Sequence, residues 1–272
     1  MKSINIIRDY NRGDVLFVDP ILRQLSAKYR ANLTTKRSQL FAGSEPYTVN
    51  KFGPFDFEID LNDTYESQPK QHILKSYIQK VQEVIDIELS IQKPCIQFTQ
   101  EEQTLIQSLS KQPFIIINID PSDYYRPPRE VFGLDIPALA AHIETQYKIE
   151  VFEVGMFVDH GLKKITIANE REAMVMIQAA KLLIGLDSLC LHIAHALDTP
   201  AVGFFGSVNP EYRLFEPFNG RIIQQYCEQQ HCYHDIKNPT EVPSCKLSLH
   251  PPKCAMTSNT EVLHAVEACL ME

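Results

Sequence analysis

The stretch LLIGLDSLCLHIAHALDTPAVGFFGSVNP, residues Leu182–Pro210, decides the fold that the sequence predicts. It begins with a short apolar run, Leu182–Gly185, which is typical of a buried strand. Asp187 and Ser188 follow, and both are favourable helix N-caps ahead of apolar residues at helical spacing. Ala201–Phe205 then has the composition of a second strand. The stretch therefore predicts a strand, a helix and a parallel strand.

In such a unit, ligands bind beyond the carboxyl ends of the strands, where the N-terminus of the helix attracts anions. The polar residues of the stretch fall at this edge: Asp187 and Ser188 after the first strand, His192 one helical turn on, Gly206 and Ser207 after the second strand. We therefore expect an anion-binding crevice here. For His192 the alternative is a hydrogen-bonded core histidine, because it lies on an apolar helix face.

The composition of the chain restricts its class. Its 272 residues suffice for one large domain or two small ones, and 44% hydrophobic with 22% charged residues is an ordinary globular composition. The formal net charge of −8 argues against a nucleic-acid partner. No apolar run reaches the roughly 20 residues of a membrane span, and the first residues lack a signal-peptide pattern, so we expect a cytoplasmic protein. The seven cysteines are then expected as thiols or metal ligands.

Strand and helix patterns alternate in both halves of the chain, which predicts an α/β protein with two parallel sheets. A break at Lys111–Pro113 divides an N-terminal domain, residues 1–112, from a C-terminal domain, residues 113–272. The clearest predicted elements are the strands Ser3–Arg8, Phe114–Ile119 and Ile149–Val154, and the helices His72–Leu89, Ala138–Tyr147 and that begun by the capping box Thr99–Glu102.

Three charged residues outside the first stretch are candidates for chemistry. Asp14 lies in a Gly-Asp pair between the first predicted strand and the next helix, where a carboxylate can accept a proton from a ligand hydroxyl. Arg126 and Arg129 follow the predicted strand Phe114–Ile119, where fixed cations would stabilise a departing phosphate group. The alternatives are a helix-start aspartate and solvated loop arginines without a chemical role.

Several familiar nucleotide motifs are absent from the sequence. It has no convincing Asp-x-Asp motif for a metal-held diphosphate, which favours a donor site that works without metal. It also lacks the G-x-G-x-x-G and G-x-x-x-x-G-K-[ST] patterns, which argues against a dinucleotide dehydrogenase and a P-loop enzyme.

Four cysteines are concentrated in a polar, proline-containing loop, residues 227–254: Cys227, Cys232, Cys245 and Cys254. Four thiolates in tetrahedral arrangement hold Zn²⁺ or iron, and a cytosolic cysteine cluster favours a metal over disulfides. The spacing is not that of a standard zinc finger. A structural metal and reduced, unligated thiols both remain open.

The order of motifs in Leu182–Pro210 resembles a signature of glycosyltransferase family 9, which contains the heptosyltransferases of lipopolysaccharide synthesis and relatives that glycosylate proteins. Gly13-Asp14, with Pro20 six residues later, is similar to a second motif of that family. One departure is Leu189, where the family usually has glycine. The backbone amide of Leu189 can still bind a phosphate, but the closer approach that glycine permits is lost.

This resemblance implies the GT-B fold, in which two Rossmann-like parallel-sheet domains face each other across a cleft. The N-terminal domain is expected to be reduced, since residues 36–100 match the family poorly. The resemblance implies that Asp14 is the general base. The donor-binding residues that it implies are Arg126, Arg129, Asp187, Ser188, Leu189, His192, Gly206 and Ser207. Some protein-glycosylating members carry a similar four-cysteine iron site, which adds to the expectation of iron or zinc at Cys227–Cys254.

The function implied by the resemblance is transfer of a heptose or similar sugar, with inversion, from a nucleoside-diphosphate sugar such as ADP-heptose. The acceptor would be a hydroxyl of a glycan, a lipid-linked saccharide or a protein, and catalysis would need no cofactor. No transmembrane segment is expected, although a lipid-linked acceptor would bring the protein to the inner membrane face. Two alternatives stay open: a non-catalytic relative that binds a sugar nucleotide or a partner, and a sugar-nucleotide epimerase or hydrolase of the same fold.

Overall fold

The computed structural model describes residues 1–43, 45–119, 129–155, 159–235 and 244–271. The first half of the chain forms a four-stranded sheet in the order β3-β2-β1-β4, and every neighbouring pair is parallel. Its strands are β1 (Ser3–Ile7), β2 (Arg30–Thr34), β3 (Thr48–Val49) and β4 (Phe57–Asp60), and its helices are α1 (Arg12–Leu16), α2 (Asp19–Leu25) and α3 (Ile73–Gln82).

The second half forms a six-stranded sheet, also parallel throughout, in the order β10-β9-β8-β5-β6-β7. The strands are β5 (Phe114–Asn118), β6 (Glu150–Glu153), β7 (Lys163–Lys164), β8 (Leu182–Leu186), β9 (Ala201–Phe204) and β10 (Gly220–Ile223). The helices are α4 (Gln100–Leu109), α5 (Ile136–Tyr147), α6 (Glu170–Ala179), α7 (Leu189–Ala196) and α8 (Asn259–Met271).

The larger sheet is covered on both faces, as parallel sheets with helical crossovers are. Ile116 of β5 and Leu183 of β8 face one apolar cluster, while Ile115 and Ile184 face the other. Because both faces are buried, all five residues of β5 and of β8 are buried, which explains why these strands are continuous apolar runs in the sequence. The predicted α/β class with two parallel sheets is confirmed.

Several predicted boundaries are also confirmed, and one is wrong. Thr99 and Glu102 form the predicted capping box of α4, and the helix predicted at Ala138–Tyr147 begins two residues earlier, with Asp135 as its N-cap. The helix predicted over His72–Leu89 ends at Gln82 instead. The β-branched residues Val84, Ile85 and Ile87 have poor helix propensity, and the last two are buried where the chain leaves the helix.

The two halves share apolar surface. Val15 and Leu16 of α1 are buried in a cluster with Ile193 of α7. The helix α4 precedes residue 112, where the domain boundary is predicted, but it packs on α6 of the second half. The contacts of Val15 and Leu16 thus place α1 of the first half against α7 of the second half. Among the described residues, none of the helices is long and apolar enough to cross a membrane.

Candidate functional site

Asp187 is the centre of a buried cluster of charges at the carboxyl end of β8. Its side chain is 2% exposed, and two guanidinium groups and one imidazole surround it. Its Oδ2 lies 3.6 Å from Nε of Arg129 and 3.6 Å from Nε of Arg213, and its Oδ1 lies 3.3 Å from Nε2 of His192. Arg129 also donates from Nη1 to the backbone oxygen of Asp187 at 2.9 Å. Two arginines therefore share one carboxylate.

The charges of this cluster support one another. Burial alone would raise the pKa of Asp187, but Arg129, His192 and Arg213 outweigh it and hold that pKa well below its usual range. Burial would likewise lower the pKa of Arg213, but Tyr65, Asp187, Tyr233 and Asp14 together raise it. Both side chains are therefore ionised at neutral pH. Among the described residues around Asp187, two guanidinium groups, those of Arg129 and Arg213, are opposed by one carboxylate.

Arg213 is a site residue that the sequence reasoning missed. It follows the 3-10 turn Pro210–Tyr212 and is 3% exposed, and its guanidinium lies 4.5 Å from the ring centre of Tyr65 in the N-terminal half. Its Nη1 is buried and has no hydrogen-bond partner among the described residues. An unsatisfied buried guanidinium nitrogen is costly unless a ligand supplies an acceptor. The only sequence signal was its position three residues after Pro210, the last residue of the stretch that predicts the fold.

The N-terminal half contributes a second set of charges. Arg8 is fully buried at the end of β1, donates to Oδ2 of Asp14 at 3.0 Å and pairs with Glu66 at 2.6 Å. Asn11 also donates to Oδ2 of Asp14, at 3.1 Å. Oδ1 of Asp14 accepts no hydrogen bond from a described residue, and the side chain is 14% exposed. Asp14 is thus a fixed carboxylate with one oxygen available to a ligand.

The two sets of charges face each other. A Cβ atom added at Gly13 would lie 2.8 Å from Cδ2 of His192, so the backbone next to Asp14 is in contact with the histidine that pairs with Asp187. The carboxylate of Asp14 also raises the pKa values of Arg129 and Arg213, although burial opposes both shifts. The structure therefore brings Asp14, Arg129, Asp187 and His192 together, as the sequence prediction requires.

The remaining predicted donor residues line the same edge of the larger sheet. Ser188 precedes α7 and donates from Oγ to Asn118 at the end of β5, at 3.1 Å, and Leu189 is partly buried in the adjoining apolar cluster. Gly206 and Ser207 are buried beyond β9, and their backbone oxygens accept from Gln224 and Tyr233. Arg126 lies outside the described residues.

Loop 227–254 places its four cysteines around one small cavity. Cys227, Cys232, Cys245 and Cys254 line this cavity of about 20 Å³, together with Ser207, and all seven cysteines of the chain are free thiols. That volume is roughly enough for one water-sized sphere. Burial and the neighbouring cysteines raise the pKa of Cys254 to about 11. Among the described residues, no three histidine, cysteine, aspartate or glutamate side chains are arranged so that they could hold a metal ion.

We expect the folded protein to lose stability as the pH falls below about 6.5. His195 and His234 are 2% and 3% exposed, and burial, with nearby His192 and Arg213 respectively, lowers their pKa values to about 4 and about 3. Between pH 6.5 and pH 4 the unfolded chain binds protons that the folded chain does not, so each histidine can remove up to about 1.4 kcal/mol per pH unit.

Urea unfolding at pH 7.5, 6.5 and 5.5 measures this dependence. His195→Gln should weaken the pH dependence of the unfolding free energy, because glutamine does not titrate in this range. Its side-chain oxygen can still accept the hydrogen bond that Phe215 N donates to His195 Nε2. His264→Gln, at an exposed position on α8, is the matched control and should leave it unchanged. A flat unfolding free energy between pH 7.5 and 5.5 would contradict the assignment of neutral buried imidazoles.

Comparisons with known proteins show which family and which folds this chain is similar to. Residues 169–245 match the sequence model of glycosyltransferase family 9 (heptosyltransferase). No curated protein matches the sequence. Among solved structures, a glycosyl transferase family 9 protein from Veillonella parvula is 14% identical with a TM-score of 0.73, and the match covers 99% of this chain and 97% of that one.

Two further structures extend the comparison. The iron-containing dodecameric glycosyltransferase TibC from enterotoxigenic E. coli is 14% identical, with a TM-score of 0.71 over 98% of this chain and 76% of that one. The ADP-heptose heptosyltransferase II of E. coli is 13% identical, with a TM-score of 0.63 over 99% and 98%. At such identities the similarity shows the fold. The GT-B arrangement predicted from the sequence is confirmed.

Proposed function

The chain is heptosyltransferase-like, and from that premise we propose that it transfers a sugar from a nucleoside-diphosphate sugar to an acceptor hydroxyl with inversion at the anomeric carbon. The TibC structure has been solved in complex with ADP-D-beta-D-heptose, which makes ADP-heptose the first donor to test. The proposed acceptor is a hydroxyl of a glycan, a lipid-linked saccharide or a protein, and the proposed location is the cytoplasm.

The observation that carries this proposal is the unequal distribution of charge where the two halves meet. Arg129 and Arg213 converge on the single carboxylate of Asp187, and Nη1 of Arg213 lacks a partner among the described residues. The anionic side is opposite, where Asp14 and Glu66 share Arg8. The negative charge of a diphosphate leaving group would pair with Arg129 and Arg213. The carboxylate of Asp14 would receive the proton of the acceptor hydroxyl.

The reaction needs one displacement. The acceptor oxygen would form its bond to the anomeric carbon as the bond from that carbon to the diphosphate oxygen breaks, and the hydroxyl proton would pass to Oδ1 of Asp14. Arg213 and Arg129 would stabilise the charge on the departing diphosphate, with the amides at the start of α7 and Ser188. Arg126 is proposed as a further cation there. Asp187 and His192 would position the donor, and Asp187 would hold the two arginines. Gly206 and Ser207 would form the floor of the crevice. The backbone amide of Leu189 would donate to the diphosphate.

A panel of nucleoside-diphosphate sugars separates this proposal from its alternatives. The ligand that binds is found first from its thermal stabilisation of the protein, because a ligand specific for the native state raises the melting temperature. Release of nucleoside diphosphate only when an acceptor is present supports transfer. Release without an acceptor supports a hydrolase, isomerised donor supports an epimerase, and binding without turnover supports the non-catalytic relative.

Arg213→Ala should weaken binding of ADP by about 1.5–3 kcal/mol, the range for a hydrogen bond to a charged group. Isothermal titration measures the effect. Arg213→Lys should recover part of the affinity, because it keeps the charge but loses the planar fork. Arg30→Ala, at an exposed position on β2, is the control. An ADP dissociation constant equal in wild type and Arg213→Ala would remove Arg213 from the donor site.

We also propose that Cys227, Cys232, Cys245 and Cys254 hold a structural iron or zinc ion. The four thiols line one small cavity, thiolates are the ligands that zinc and iron take in tetrahedral sites, and a bound metal would stabilise the ionised form that burial and neighbouring cysteines disfavour at Cys254. TibC, which shares the fold, is described as iron-containing. Elemental analysis of the purified protein is expected to give about one metal ion per chain. Less than a stoichiometric amount, with all four thiols titratable, would leave them as unligated cysteines.

A further inference from the structure

The loop that carries the four cysteines is also in contact with the segment that bears Arg213. Cys232 begins the 3-10 turn Cys232–Asp235, and the next residue, Tyr233, donates from its backbone to Ser207 O at 3.2 Å. The ring centre of Tyr233 lies 5.9 Å from the guanidinium of Arg213 and 5.8 Å from that of Arg129. His234 accepts a hydrogen bond from the backbone of Asn209 at 2.8 Å. Tyr233 and His234, which follow Cys232, therefore hold the segment Ser207–Asn209 that leads to Arg213.

The other end of the loop holds the segment that bears Arg129. Ala255, directly after Cys254, accepts from Phe132 N at 2.9 Å, and Thr257 N donates to Phe132 O at 2.9 Å. A Cβ atom at Gly133 would lie 2.4 Å from Thr257 O, so only glycine permits this approach. Phe132 follows Arg129 by three residues. Ala255 and Thr257, which follow Cys254, therefore hold the segment that follows Arg129.

The same turn reaches the N-terminal half. Nδ1 of His234 lies 3.2 Å from the hydroxyl of Tyr65, and Asp235 pairs with Lys70 at 2.6 Å. Tyr65 is the residue over which Arg213 lies. The turn Cys232–Asp235 thus contacts residues of both halves that lie beside Arg213.

From this connectivity we propose that the four-cysteine cavity sets the spacing of Arg129 and Arg213, so that its metal-bound and metal-free states differ in affinity for a nucleoside diphosphate. Cys232 and Cys254 are the endpoints: a metal that joins them also joins the two arginine-bearing segments. Tyr233 and His234 are the positioning residues on one side, and Ala255 and Thr257 on the other. The inference depends on the proposed donor site and on the proposed metal.

The test compares wild-type protein with Cys245→Ser, chosen because its chain neighbours are not the residues that hold either segment. Three quantities are measured: metal content per chain, the dissociation constant for ADP, and hydrogen exchange at the amides of Phe132, Thr257 and Tyr233. The variant should lose metal, exchange faster at all three amides, and bind ADP about 5–150-fold more weakly, the usual range for coupling between two binding sites. Cys95→Ser, an exposed cysteine of the N-terminal half, is the control.

A second variant separates coupling from unfolding. His234→Gln keeps every cysteine, so metal content should stay at the wild-type value while ADP affinity falls. A Cys245→Ser protein that is metal-free and folded, yet exchanges and binds ADP as the wild type does, would overturn the inference. If wild-type protein binds no ADP, the donor site itself is wrong, and the exchange rates of the three amides with and without metal still decide whether the cavity controls these segments.

Discussion

Replacing Asp14 by asparagine is expected to lower the rate of sugar transfer by about 10²–10⁴-fold, the contribution of a positioned general base. Asparagine has the same size, and its oxygen can still accept from Arg8 and Asn11, which contact Oδ2 of Asp14. The packing of Gly13 against His192 is also untouched. The loss should therefore appear in kcat, while the dissociation constant for the donor stays near that of wild type.

Glu66→Gln is the matched comparison for Asp14→Asn. Glu66 shares Arg8 with Asp14 and has a similar exposure, 15% against 14%, but it is not assigned the proton. Its loss should reduce transfer far less. Equal rates for Asp14→Asn and wild type, measured with a donor and acceptor that the wild type uses, would exclude Asp14 as the base. Equal losses of transfer rate in the two variants would instead mean that both carboxylates act by pairing with Arg8, and that neither is the base.

Replacing Asp187 by asparagine should destabilise the fold by about 3–5 kcal/mol, because it removes the carboxylate that buried Arg213 shares with the partly buried Arg129. Arg213 is 3% exposed, and the side chain of Arg129 is 20% exposed, so water can compensate little. For a chain of this size the melting temperature should fall by roughly 6–20 °C, at about 2–4 °C per kcal/mol. Chemical and thermal unfolding of wild type and variant measure the difference.

Two further variants identify the cause of that loss. Asp198→Asn removes an aspartate that is 65% exposed and pairs with Lys93 at the surface, and it should change stability by less than about 1 kcal/mol. Adding Arg213→Met to Asp187→Asn should recover part of the loss, since one uncompensated charge is removed with it. An Asp187→Asn single variant as stable as the wild type would show that the two arginines do not need this carboxylate for folding.

The sequence predicted the architecture because its signals are local. Continuous apolar runs predict doubly covered parallel strands, and β5 and β8 are such runs. The capping box of Thr99 and Glu102 predicts where α4 begins, and the structure has it there. Short strands were missed for the same reason: β3 and β7 have only two residues each, too few for any pattern.

The candidate site was predicted only in part, because it depends on contacts between distant segments. Asp14 and Asp187 were found from the motifs around them, and those motifs are contiguous in the chain. Arg213, Tyr65 and Tyr233 carry no motif, and their proximity results from the path of three different loops. The burial of Asp187 was not foreseen either, since the sequence does not reveal that two arginines share its carboxylate.

The packing of α4 on α6 has a practical consequence for dividing the molecule. Ile106 and Leu109 lie against the apolar cluster of the second half, and Arg171 of α6 pairs with Glu102 of α4. A recombinant fragment started at residue 113 would expose that surface and invite aggregation. One started near residue 95 keeps it covered by its own helix. The point of division between the halves is thus better placed ahead of the capping box than after the helix that it begins.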